Sequence, residues 1–397
     1  MRRRRTFKYW IGQLHLWLGL ASGLVVLIVS LTGCLFVFQK EISEALHEEW
    51  FFVRSSGVAG ATLPLGELKE KAAAVLGSDR PVSNIITWSR PDRTWEFMAY
   101  KENDSALTYF GEIEYFQSVY INPYTGAVAG VRDYKTDFFN VVKYIHWSLL
   151  LSTRYGQPIV GWSTLVFVVL LVTGLVLWWP RRWTKALRDR SFRIKWKASF
   201  KRVNYDLHNV PGFYSLLPAL VIALTGLVFS FRWVGGFFYF VAAGTTAQPQ
   251  VAASRSDTTL LVTADPLERA LREARLRLPS AARYMVSRTT GREGVVYLYA
   301  YWGKEVYYDY DVLQFDQYSG ALLHHRPDRE KNAGEKLVGM NYDIHVGAIA
   351  GLTGKIIAFI ASLVCASLPV TGFLIWWGKK YKKIDKMPNR VRASMVQ

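Results

Sequence analysis

Cysteine is nearly absent: Cys34 and Cys365 are the only two in 397 residues, and both fall inside long apolar runs. That argues against a disulfide, and both read as small buried residues. Acidic residues are scarce too, 31 against 49 Lys and Arg. The centres of the long apolar runs contain no Asp or Glu. This counts against an ion transporter, which would place carboxylates or further histidines in mid-membrane.

The formal net charge is +18, although 51% of the residues are hydrophobic. A soluble chain this basic would suggest a nucleic-acid partner, but the placement of the charge excludes that reading. Segments 1–8, 181–202 and 379–397 hold 22 of the 49 basic residues and two of the 31 acidic ones. Each directly abuts an apolar run, which is the positive-inside pattern of a membrane protein.

Four runs reach the roughly 20 residues needed to cross a bilayer: 10–38, 158–180, 209–233 and 352–378. An even number of spans puts both termini on one side, the cytoplasmic one, as expected for a bacterial inner-membrane protein. The basic start reads as the anchor of an uncleaved first helix, because no small-x-small cleavage site closes the run. The expected order is helix 1 (1–38), an external domain (39–145), an outer segment with helix 2 (146–180) and a basic cytoplasmic loop (181–208). Helix 3 (209–233), a second external domain (234–344), an outer segment with helix 4 (345–378) and a basic tail (379–397) follow.

The chain repeats itself. Leu14-His15 precedes Leu31-Thr32-Gly33, and Leu207-His208 precedes Leu224-Thr225-Gly226, with Thr 17 residues after His in both. Ile145-His146 leads to Val172-Thr173-Gly174 and Trp178-Trp179, and Ile344-His345 leads to Val370-Thr371-Gly372 and Trp376-Trp377. His15 and His208 are expected about 10 Å inside the membrane from the basic flank. His146 and His345 are expected on short helices or re-entrant turns at the outer face. Gly156 and Pro158 after one, and Gly351 and Gly354 after the other, interrupt the helical pattern.

The external segments each read as a helix followed by strands. In the first, Leu65–Leu76 is helical and 85–88, 95–101 and 117–122 are strands. In the second, the helix over 265–278 opens on Asp265-Pro266, an N-cap and N1 pair. Strands are expected at 284–288, 294–301, 306–310 and 312–316. Asn122-Pro123-Tyr124-Thr125-Gly126 matches Asp316-Gln317-Tyr318-Ser319-Gly320 as a hairpin turn.

A hairpin with an Asn/Asp-x-x-Thr/Ser-Gly turn after a helix resembles the PepSY domain. Two of these, interleaved with four spans carrying Leu/Ile-His starts and Thr-Gly-x-x-x-Trp-Trp ends, resemble the PepSY-associated transmembrane family. The resemblance implies four transmembrane helices in a tandem pseudo-twofold repeat with two periplasmic α+β PepSY-like domains. It also implies a relation to inner-membrane ferric-siderophore reductases. Some relatives carry a C-terminal flavodoxin-reductase module; no such module is expected within this chain, so the electron donor, a quinol or a cytosolic reductase, is expected to be separate.

Neutral imidazole is an axial ligand of haem iron, and the pseudo-twofold pairs His15 with His208 and His146 with His345. Each pair is expected to clamp one haem b, giving two. Without a Cys-x-x-Cys-His motif the haems would be held non-covalently. Gly12, Gly19 and Gly23 offer a small-residue surface beside His15. Asp206 and Asp343, in the two identical Asn-Tyr-Asp stretches, are candidates either to orient an imidazole or to serve as solvated helix caps. Lys143, Arg154 and Lys355 are candidate partners for haem propionates. The Trp pairs read as an aromatic belt, His47 as solvent-facing, and His324-His325 as a poor metal site because neighbours on a strand point oppositely. The expected function is outward electron transfer to a periplasmic ferric chelate. The alternative is a peptide-binding or protease-modulating membrane protein without pigment.

Overall fold

The computed structural model describes residues 6–53, 60–180, 182–249, 253–260, 262, 265–303 and 306–384. Parts of the two terminal basic segments, 1–5 and 385–397, lie outside them.

Among the described residues, three helices are long and apolar enough to span a bilayer: α1 (Phe7–Val37), α4 (Thr153–Trp178) and α9 (Gly351–Ile384). Less than a third or so of each apolar stretch is buried within the protein, and side chains such as Leu24, Val172 and Ile360 face outward. Such a surface is stable only against lipid. This is a membrane protein.

The third expected span, 209–233, departs from a single helix. α5 (Phe200–Tyr214) and α6 (Leu216–Ser230) meet at Ser215 with a bend of 67°. Proline explains the break. Pro218 lacks the N–H that would bond the Tyr214 carbonyl, and Pro211 lies one turn before the bend. At the matching places in α1 stand Leu18 and Val25, and that helix is continuous. His208 therefore lies inside α5 and does not precede a span.

The segment after His345 breaks at Gly351 as expected, where φ is positive and α9 begins, but the segment after His146 breaks elsewhere than expected. α4 runs through Gly156 and Pro158 without interruption. The break lies earlier: α3 (Phe138–Ser148) ends where Leu149 and Leu150 adopt left-handed conformations. A Cβ on Gly156 would sit 1.9 Å from the Ser148 carbonyl oxygen, so glycine permits the return of the chain. In the second copy α8 (Asn341–His345) ends before Gly347, where a Cβ on Gly354 would meet the Gly347 oxygen at 2.1 Å.

The two external segments form one unit. Eight antiparallel strands make a single sheet in the order β4-β3-β2-β1-β5-β6-β7-β8. The first copy supplies β1 (Asn84–Trp88), β2 (Trp95–Glu102), β3 (Ile113–Ile121) and β4 (Val128–Asp133). The second supplies β5 (Arg283–Arg288), β6 (Val295–Tyr301), β7 (Tyr310–Asp316) and β8 (Leu322–Arg326). No strand forms over 306–309; β7 begins at Tyr310. The halves join where β1 pairs β5, with Ile86 opposite Met285. Pairing the two leaves no exposed edge at the join.

Both helices, α2 (Leu65–Leu76) and α7 (Pro266–Arg277), pack on one face over a common core that includes Leu68, Phe97, Leu271, Leu298 and Phe315. Their N-termini share a cap. Asp265 accepts from its own Glu268 amide at 3.1 Å and from Gly66 at 3.0 Å, and Glu268 accepts from Leu65 at 2.7 Å. α2 has no side-chain cap of its own, so its orphan amides are satisfied by the other copy. In the hairpin turns, Asn122 accepts from Tyr124 and Thr125, Asp316 accepts from Tyr318 and Ser319, and Gly126 and Gly320 take positive φ.

Candidate cofactor site: two imidazole pairs

The bundle brings the four histidines together two by two. His15 of α1 and His208 of α5 lie at the end of the bundle away from the sheet, with ring centres 6.4 Å apart. His146 of α3 and His345 of α8 lie at the end beneath the sheet, with ring centres 6.0 Å apart. Each pair takes one ring from each copy. Two imidazoles bonded through nitrogen to one metal at about 2 Å place their ring centres about 6 Å apart.

Each ring is held through Nδ1. His15 meets Thr173 Oγ1 at 2.9 Å, His208 meets Thr371 at 2.9 Å, His146 meets Thr32 at 3.2 Å and His345 meets Thr225 at 3.0 Å. Every one of these hydroxyls donates to the carbonyl four residues back, at 2.8 Å. Its oxygen is therefore free to accept, and Nδ1–H is the donor. The carbonyls of Val29 and Ile222 accept from His146 and His345 as well, at 2.9 and 3.1 Å. A proton on Nδ1 leaves the Nε2 lone pair available to a metal.

The glycine after each threonine has a matching purpose. A Cβ on Gly174, Gly372, Gly33 or Gly226 would stand 3.2–3.4 Å from Cε1 of the histidine its threonine holds. Threonine orients the ring and glycine admits it. Sequence reasoning treated Thr-Gly as a marker of span ends and missed this role, although its fourfold repetition beside four histidines was the available signal. The partners also cross over: the His of one span is held by the Thr of the other span in the same copy.

The aspartates proposed to orient imidazoles do something else. Asp206 accepts from the Lys195 amide and Arg202, and Asp343 accepts from the Tyr307 amide. In both Asn-Tyr-Asp stretches the asparagine acts instead. Asn204 donates to the Thr371 carbonyl and Asn341 to the Thr225 carbonyl, each at 3.1 Å. These asparagines brace the residues that hold His208 and His345.

A cavity accompanies each pair. The sheet-distal one, about 620 Å³, includes Gly12, Gly19 and Gly23 in its wall, with Trp178 and Trp376. One tryptophan of each pair therefore faces the cavity, while Trp179 and Trp377 are exposed. The sheet-proximal cavity is about 240 Å³ and includes Lys143 and Tyr342. Val26 and Phe167 belong to both walls, so the two spaces abut. Of the other candidate cations, Lys355 is buried and paired with Glu41, and exposed Arg154 lies against Tyr155. Neither lies in the wall of either of these two cavities.

A family model described as the PepSY-associated TM region matches residues 13–379. The chain belongs to the PepSY-associated transmembrane family. No curated protein matches it in sequence.

The remaining histidines of this family member lie apart from the cavities. His47 stacks on Trp50 with ring centres 3.9 Å apart and is half-buried rather than fully solvent-facing. His325 pairs with Asp311 at 2.9 Å on the sheet. Cys34 and Cys365 are buried free thiols. Among the described residues no group of three or more His, Cys, Asp or Glu side chains has the arrangement of a metal site. Two neutral imidazoles are too few ligands for a bare ion. They fit a planar macrocycle that brings its own equatorial donors, and the glycine-lined walls suit its faces.

Proposed function

We propose that this protein is a di-haem b electron-transfer protein of a bacterial inner membrane that reduces a periplasmic ferric chelate, a ferric siderophore. The observation that carries the reading is the duplicated geometry: two imidazole pairs, 6.4 and 6.0 Å between ring centres, each ring tethered through Nδ1 by a Thr-Gly unit. A bound haem supplies one-electron chemistry.

The chain's part is ligation, orientation and exclusion of water. His15 and His208 hold one haem, and His146 and His345 hold the other. The threonines fix the tautomer and raise ligand basicity. Along α1, His15 and the Thr32 that serves the second pair are 17 residues apart, about 25 Å of helix, and the two cavities share Val26 and Phe167 in their walls. The basic loop 181–202 at the sheet-distal end supports a cytoplasmic position for that end. The sheet then stands in the periplasm above the His146–His345 site, where a ferric chelate would dock. Reduction to the ferrous state weakens binding by hard oxygen donors and releases the iron.

The test is a dithionite-reduced spectrum of the purified protein, followed by reoxidation with a panel of ferric chelates. The Soret and α bands of reduced bis-His haem b are expected, and on adding a ferric siderophore the α band should disappear while the Soret band shifts to its oxidised position. A colourless preparation refutes the haem reading.

A further inference from the structure

The two copies differ in charge at one position on the sheet-proximal cavity wall. Three residues before His146 stands Lys143, and three residues before His345 stands Tyr342; both line the same cavity. Lys143 is largely shielded from water, and its ammonium lies 4.7 Å from the centre of the Tyr144 ring. Among the described residues it has no carboxylate within ion-pair distance. The acid that most favours its charge, Asp137, is bonded to Arg132 at 2.9 Å. Burial pushes the Lys143 amine down to about 8.

A buried cation without a partner is costly, and proteins keep one where a charge arrives to meet it. The contrast with Lys355 is direct: that lysine is buried but already carries Glu41. The sheet-distal site differs, because Lys379 in its wall is exposed and Lys8 is half-buried with its ammonium bonded to the Trp179 carbonyl.

We propose that Lys143 is the counter-ion for the acidic edge of the group held between His146 and His345, and that it sets which way round that group sits. This rests on the haem reading, in which the acidic edge is the propionate pair. Tyr342 offers only a neutral hydroxyl from the other copy, so the acidic edge turns toward α3. Lys143 is thus a positioning residue. It also stabilises the reduced, less positive state of the site, since a nearby cation opposes positive charge on the iron.

The experiment compares wild type, K143M, K143R and R154M as full-length purified protein, by haem content per chain and by spectroelectrochemical titration. K143M is expected either to lose the sheet-proximal haem or to shift its reduction equilibrium about tenfold toward the oxidised form, about 59 mV lower for one electron. The sheet-distal haem stays unchanged. K143R is expected to restore content and potential, and R154M to leave both as in wild type. A K143M protein with two haems at wild-type potentials overturns the inference, as does a K143R that behaves like K143M. A wild type lacking haem overturns the haem reading, and this inference with it; a pigmented wild type beside an indifferent K143M overturns only the role of Lys143.

Discussion

The first copy crosses the bundle on one continuous helix of 31 residues, while the second makes the same journey on two helices bent by 67°. His15 and His208 nevertheless reach one another, and each finds its threonine at 2.9 Å. What the copies share is the set His, Thr and Gly; where they differ is helix continuity, Lys143 against Tyr342, and Asn122 against Asp316. The shared set performs the local chemistry of holding a ring. The differing positions adjust the surroundings of a site that both copies build together.

The largest effect follows from that joint construction. H15A and H208A remove rings from different copies but the same site, so each is expected to leave one haem per chain, the sheet-proximal one. H146A and H345A should leave the other. Pyridine haemochrome content and the redox titration distinguish the two classes, and matching losses by copy instead of by site would break the comparison. The next effect is steric. G372V places branched carbon where even a Cβ would stand 3.2 Å from His208 Cε1, so most of the sheet-distal haem should be lost while the sheet-proximal one remains.

Thr371→Val and Thr173→Val keep size but remove the acceptor for Nδ1–H. Affinity for the sheet-distal group should fall about tenfold, the lower end of the range for such support, as read by haem transfer to an apo-acceptor protein. An unchanged transfer rate in both variants would detach the Thr-Gly unit from ligation.

The smallest effect contrasts the hairpin turns. Burial pushes the Asp316 carboxyl up, but donors from Ser319, Asp257 and Tyr318 outweigh it and hold the group below its usual range. A depressed acid stabilises the fold above its unfolded value of about 3.9 and loses that contribution as pH falls through its folded value. Amide exchange at Tyr318 and Ser319 should therefore quicken on acidification below about pH 4 relative to the Tyr124 and Thr125 amides, whose acceptor Asn122 does not titrate. Equal pH response in both turns would contradict this.

Much was legible in the chain. Hydropathy located the apolar runs, because each residue in lipid must be apolar whatever its neighbours. The helix over Leu65–Leu76, the Asp265 cap and both Asx turns depend on contacts within a few residues, so local pattern sufficed. The histidines stood out through repetition. The less legible features involve partners far apart in sequence: the strand expected at 306–310 does not form, because the Tyr307 amide bonds the distant Asp343 carboxylate instead of a neighbouring strand, and β7 begins only at Tyr310.

The sequence by itself determined the membrane class, the duplication and the four imidazoles, since these rest on composition and spacing. Only the tertiary structure decided that the external halves fuse into one sheet, that Asn204 and Asn341 rather than the nearby aspartates brace the sites, and that each Thr-Gly serves the histidine of another helix. Those outcomes depend on which surfaces meet, and hydrogen bonds spanning more than 100 residues leave no trace in local periodicity.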